Sequence, residues 1–179
     1  ARNWRRQALN VADCVDMCWL ARAAPDLLLG FNSLRAGASQ NHVHIHTWPA
    51  DFSSAGRPYA VCEAGVRADV PALVLRDEVV VALLEYPVAC IRVTGRDAAA
   101  AGKALGAALG AVEALGLAHN VVAIDEEAYL FARRADGERA AELPTLKLGC
   151  SEMAGCFHTQ SHDELESVAA PGAAERALA

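Results

Sequence analysis

From Asn3 to Ala24 the apolar residues Leu9, Ala12, Val15, Met17, Cys18, Trp19 and Ala21 recur at helical spacing, and Pro25 and Asp26 end that pattern. A mostly apolar run from Leu27 to Leu34 then predicts a strand with Asn32 and Ser33 near its end, and the small and amide residues Ala36 to Asn41 predict a loop. The period changes at His42. There His42, His44 and His46 alternate with Val43 and Ile45. Successive side chains of an extended chain point to opposite faces, so this run predicts a strand with three imidazoles on one face and two aliphatic groups on the other. Trp48 continues the imidazole face, and Pro49 ends the strand by removing a ladder donor.

Beyond Pro49 the segment Ala50 to Val66 carries Ser53, Ser54, Gly56, Pro58 and Gly65 and reads as a long loop, able to fold over the histidine strand. The runs Ala72 to Leu84 and Tyr86 to Thr94 are rich in β-branched and aliphatic residues, and the first of them allows a turn at Asp77. Asp97 caps a predicted helix from Ala98 to Leu115, and Gly116 stops it. Gly102, Gly106 and Gly110 share roughly one face of that helix, where another element can approach closely. His119 to Ile124 and Tyr129 to Arg134 predict a hairpin around Asp125-Glu126-Glu127. A polar loop from Ala135 to Pro144 and a last strand from Leu146 to Cys150 follow, then a helix opened by Ser161-x-x-Glu164. The Ala, Pro and Gly composition after Val168 predicts disorder, so the domain is expected over residues 1–168 with a tail over 169–179.

A length of 179 residues suits one well-buried domain, and a 54% hydrophobic, 21% charged composition is that of a globular protein. The formal net charge of −6 offers no electrostatic case for nucleic-acid binding. No apolar run reaches the ~18–20 residues that a membrane span requires, and no secretory segment is visible, so a cytoplasmic protein with reduced thiols is expected. The six cysteines form no Cys-x-x-Cys pair; Cys14 and Cys18 share a helix face as small buried hydrophobes. Cys150, Cys156, His158 and His162 could be arranged around zinc, but their spacing fits no strong template, and an ordinary chain end is the expectation.

A lone strand histidine is usually a packing or surface residue. Three on one face multiply the demand for polar partners, which points to chemistry. Two kinds remain open from the residues alone: a metal site, or covalent phosphorus chemistry with one imidazole as nucleophile. HVHIH fits the histidine-triad pattern, and GFNSLRAGASQNHVHIH resembles the corresponding stretch of the GDP-hexose phosphorylases, the GDP-L-galactose and GDP-D-glucose phosphorylase family. Two positions depart from that family: Arg35 stands where glycine is usual, and His46 where glutamine is. Histidine at the last place marks the hydrolytic triad branch. LLEYPVACIRVTG, the following helix, NVVAID…AYLFARR and a Glu-x-x-Gly segment extend the resemblance over roughly Gln7 to Val168.

The resemblance implies an α+β fold of the histidine-triad type, an antiparallel sheet with packed helices, with the N-terminal part of the family fold lying outside this chain. It implies nucleotidyl transfer through a covalent nucleotidyl-histidine, with His44 as nucleophile, His42 orienting it and His46 beside the bridging oxygen of the leaving group. Asn32, Ser33, Ser39, Gln40 and Asn41 are the expected substrate-binding residues. No cofactor and no metal are implied. The expected partners are a nucleoside diphosphate sugar and inorganic phosphate, with a homodimer as the assembly. The alternatives are a histidine-triad hydrolase and a non-catalytic nucleotide-binding or structural relative of such enzymes.

Overall fold

The computed structural model describes residues 4–50, 59–134 and 146–178. In it the first helix starts later than its apolar periodicity predicts. Helix α1 covers Val11–Ala23, because Asn10 and Asp13 form a reciprocal cap: the Asn10 side chain accepts from Asp13 N at 2.9 Å and the Asp13 carboxylate from Asn10 N at 2.8 Å. Residues 4–10 precede the helix as an irregular arm.

Seven strands follow: β1 (Leu27–Asn32), β2 (His46–Pro49), β3 (Leu73–Val74), β4 (Val80–Leu83), β5 (Cys90–Thr94), β6 (Ala118–Ile124) and β7 (Glu127–Arg133). They pair antiparallel in the order β2-β1-β6-β7-β5-β4-β3. The helices are α2 (Ala60–Glu63), α3 (Ala98–Ala114), α4 (Cys150–Met153), α5 (His162–Ala169) and α6 (Ala173–Leu178). This is the α+β architecture expected. The run from Ala72 is broken at Arg76–Glu78, a short 3-10 turn in which Asp77 and Glu78 take φ of 58° and 56°.

Alternation along the strands splits the interior into two cores. Leu29, Phe31, Val93, Val121 and Leu130 pack beneath α1 and α3. On the other face Leu28, Val122, Tyr129 and Phe131 pack with Met153 of α4 and with Ala177 and Leu178 of α6. Among the three glycines of α3, Gly102 and Gly106 let α1 approach: a Cβ on Gly102 would lie 2.4 Å from Val15 Cα, whereas one on Gly110 would meet nothing.

Two expectations are corrected at the C-terminal end. Leu146 to Cys150 does not form the last strand. Cys150 opens α4 instead, and the amides of Gly149 and Cys150 bond to the side chains of Glu152 and Asn32 at 2.8 and 2.7 Å. The tail expected to be disordered holds α6, whose Ala173, Ala177 and Leu178 are buried. Its two apolar positions four apart gain a sheet face to cover, which composition does not reveal. Ser161 caps α5 as expected, accepting from Glu164 N at 3.2 Å. The predicted loop Ala135 to Pro144 lies outside the described residues, as do residues 51–58 of the loop expected over Ala50 to Val66; the described remainder of that loop contains α2.

One buried polar residue makes this fold sensitive to acid. His119, at the start of β6, is 3% exposed, stacks on Phe31 at 5.9 Å and has no hydrogen-bond partner on either ring nitrogen among the described residues. Burial pushes its pKa down from 6.5 to about 4. The unfolded chain therefore binds this proton at a higher pH than the folded one. Stability present above pH 6.5 is lost as pH falls towards 4, by about 3 kcal/mol at most. Denaturant midpoints at pH 7 and pH 4.5 should differ by less in His119→Leu than in the parent; an equal difference would contradict this.

Candidate active site

The β1–β2 ladder runs from Leu27↔Pro49 to Gly30↔His46 and stops there. The expected strand over His42 to His46 is thus corrected: only His46 is laddered, and residues 42–45 run alongside β1 without strand pairing. The facing of the side chains survives. Val43 and Ile45 pack against the core beneath α1 and α3. The rings form a row, with centroids 5.2 Å apart for His42–His44, 4.9 Å for His44–His46 and 5.3 Å for His46–Trp48. Trp4 caps one end, edge-on to His42 at 5.3 Å, and His158 the other, stacked on Trp48 at 6.4 Å.

Within the row, His44 Nδ1 lies 2.8 Å from the carbonyl oxygen of His42. A carbonyl only accepts, so Nδ1 carries a proton, and in the neutral ring Nε2 is the nitrogen with the lone pair. Burial, and then the neighbouring His44, lower the pKa of His46 below the ordinary histidine value.

Gly30 explains how the row is seated. A Cβ there would lie 2.7 Å from Trp48 Cζ3 and 2.6 Å from Cys150 Sγ, so only glycine lets the indole cross β1 and stack on His46. Asn32, two residues on, faces the same side. Its Oδ1 accepts from Asn120 Nδ2 and from Cys150 N, both at 2.7 Å. Asn120 also donates to the Ala36 carbonyl at 2.7 Å, and Arg133 joins Asn120 Oδ1 at 3.2 Å to the Leu148 carbonyl at 2.7 Å. This buried network binds β1, β6, β7 and the segment before α4 into one floor.

Ser33 faces the opposite way. Its hydroxyl accepts from His119 N at 2.9 Å, which anchors β6, so the structure does not bring this side chain to the histidine row. Ala36 N bonds to the Ser33 carbonyl at 3.0 Å, closing a turn in which Arg35 has φ 65°. That is the position a type II turn favours for glycine, the residue usual here in the resembling family. Arg35 meets the same backbone requirement at some steric cost. Ser39, Gln40 and Asn41 are exposed on the loop leading into the row, and Asn41 Oδ1 accepts from Gln7 N at 3.2 Å.

Beyond His46 a cavity of about 230 Å³ is lined by Asn32, His46, Trp48, Lys147, Glu152, His158 and Glu164, among others. Glu152, the acidic residue of the Glu-x-x-Gly segment, is not among the expected site residues. It is buried, accepts from Gly149 N and Ser151 Oγ at 2.8 and 2.9 Å, and pairs with His158 Nδ1 at 2.8 Å. Cys150 is buried beneath Trp48, and His162 is exposed and pairs with Glu166. A larger cavity of about 640 Å³, along residues 67–69 and 83–89, contains none of these groups.

The antiparallel sheet with its packed helices is a histidine-triad-like fold. No family model matches the chain, and no curated protein matches it. Among solved structures it is similar to yeast Ap4A phosphorylase Apa2. The AMP complex has 15% identity, a TM-score of 0.66, and a match covering 98% of this chain and 64% of that one. A second structure of the same enzyme gives the same values, and the Ap4A complex 15%, 0.65, 98% and 65%. The likeness is one of fold, and the chain spans about two-thirds of the length of these structures. No described helix is long and apolar enough to cross a membrane.

Proposed function

We propose that this chain carries the nucleotidyl-transfer site of a GDP-hexose phosphorylase. The observation that carries the reading is the 2.8 Å contact between His44 Nδ1 and the His42 carbonyl, which in the neutral ring leaves the lone pair on Nε2, the nitrogen suited to act as nucleophile. In the first step the Nε2 lone pair attacks the α-phosphorus. An N–P bond forms, the bridging P–O bond breaks, and hexose 1-phosphate leaves with the bridging electron pair. In the second step a phosphate oxygen attacks the same phosphorus, the N–P bond breaks, and GDP is released with the imidazole restored. Neither step needs an added redox or group-transfer cofactor.

Donors for the charge developing on the phosphoryl oxygens come from the backbone amides of residues 39–41 and from the side chains of Ser39, Gln40 and Asn41. Asn32 has its Oδ1 committed to the floor, so its Nδ2 is the group it offers towards the cavity.

The cavity beyond His46 favours a sugar over a second nucleotide on the leaving side. Its lining of Asn32, Ser151, Glu152, His158 and Gln160 offers hydrogen-bonding groups suited to hydroxyls. The solved neighbour in complex with Ap4A is a phosphorylase of a dinucleoside polyphosphate; the shared element proposed here is the nucleotidyl-histidine, with a different leaving group. Hydrolysis is the second reading, favoured by one observation: His46 can exchange a proton, which the glutamine usual there cannot.

The test is incubation with GDP-hexose labelled at the α-phosphate, acid-free quenching and peptide mapping. Label on the peptide containing His44, released as GDP on adding phosphate, is the expected result. Label on another residue, or turnover without any protein-bound label, overturns the reading.

A further inference from the structure

Continued two residues past its last pair, the β1–β2 register would set Asn32 opposite His44. No ladder bond forms there. The carboxamide of Gln7 lies between the two backbones instead: Gln7 Nε2 donates to the Asn32 carbonyl at 2.8 Å, and Gln7 Oε1 accepts from His44 N at 3.0 Å. One side-chain amide thus replaces the missing strand-to-strand bond and satisfies both backbone groups. It also holds His44 one amide's width farther from β1 than a ladder would.

Gln7 is itself fixed. It is 3% exposed, its backbone N donates to Asn41 Oδ1 at 3.2 Å, and two residues earlier the Arg5 carbonyl accepts from Val43 N at 3.0 Å. A glutamine buried this deeply has no packing advantage over methionine or leucine. What it adds is one donor and one acceptor at the fixed spacing of an amide.

We infer that Gln7 is the positioning residue for His44: its carboxamide, inserted between β1 and the histidine segment, sets where the nucleophilic Nε2 stands. This rests on the nucleotidyl-transfer reading of the site. Gln7 touches no reacting atom; it acts through the His44 backbone. A misplacement of about 1 Å at a nucleophile costs on the order of 10²-fold in rate.

The experiment measures single-turnover adduct formation with GDP-hexose in the parent chain, Gln7→Met and Gln7→Glu, with histidine nitrogen NMR on the same three proteins without substrate. Gln7→Met keeps the volume and loses both bonds. It should form adduct about 30- to 100-fold more slowly while nucleotide affinity changes less than about threefold, and the His44 ring signals should shift. Gln7→Glu supplies a sharper test that does not depend on how well Gln7→Met folds. As a carboxylate the new group repels the Asn32 carbonyl; as a carboxylic acid it regains one donor and one acceptor. Its adduct rate relative to the parent at the same pH should therefore recover as pH falls from 8 to 6. A ratio flat in pH, or unchanged His44 signals and adduct rate in Gln7→Met, overturns the inference. Absence of adduct in the parent chain itself overturns the underlying reading, and the substrate-free NMR comparison still reports on Gln7.

Discussion

His44→Ala should abolish adduct formation and lower turnover of GDP-hexose by at least about 10⁴-fold, with the fold retained. The size follows from the role. If Nε2 forms the N–P bond, no neighbouring group can take over at the same place: His42 contributes its carbonyl to hold the His44 ring, and His46 lies one ring farther along the row. The fold should survive because the ring is half-buried at the edge of the sheet and belongs to neither core. Removing it leaves no closed cavity, so a stability loss within about 1 kcal/mol is expected. The measurements are protein-bound label after single turnover and a thermal melt. Turnover persisting in a folded His44→Ala protein would remove this histidine from the mechanism, whatever the row of rings suggests.

What could be read from the chain before its structure was the local chemistry. Alternation alone put Val43 and Ile45 opposite the imidazoles, and they are opposite, even though the ladder expected beneath them stops at His46. Asp97 as a helix start and Gly116 as a stop were equally legible, because a cap is decided within four residues. The parts that stayed hidden join distant segments. Asn32 bonds to Cys150 N across 118 positions and to Asn120 across 88, and Gln7 meets His44 across 37. No periodicity encodes such pairs. A trace of them exists, since Asn120 and Arg133 are polar residues on largely apolar strands and must find partners when buried. The same logic applied to Gln7 would have drawn attention to the arm before α1, which helical spacing had absorbed into the helix.

The seat of the histidine row is also a consequence of small residues. Gly30 admits the Trp48 indole, and Gly149 leaves room for the Asn32 amide 3.3 Å from where its Cβ would stand. These two glycines let polar groups and a large ring share the edge of a sheet whose centre is filled by aliphatic side chains. Trp48 then separates the row into two parts. His42, His44 and His46 lie on one side, and the Glu152–His158 pair lies on the other, across the cavity assigned to the leaving group. Of the three histidines in the row, His46 is the one that lines this cavity.

His46→Gln should shift the fate of the nucleotidyl-histidine from water towards phosphate. Burial and the adjacent His44 hold the His46 pKa below 6.5, so at neutral pH its ring is neutral and able to accept a proton. Water needs such a base as it attacks phosphorus. Phosphate, already an anion, does not. A positioned general base contributes about 10²- to 10⁴-fold, so the variant should release GMP from the adduct at least about 100-fold more slowly, with GDP formation on adding phosphate changed by less than about tenfold. The pH dependence gives the sign. In the parent chain, water-driven release should be flat above pH 6.5 and fall only below it, as His46 gains its proton at its depressed pKa. In His46→Gln that acid limb should vanish. The measurement is the ratio of GMP to GDP released from isolated labelled adduct, between pH 5 and 8, with and without phosphate. A variant whose GMP release matches the parent across that range would show that His46 does not serve water, and would leave its departure from the family's glutamine without a catalytic consequence.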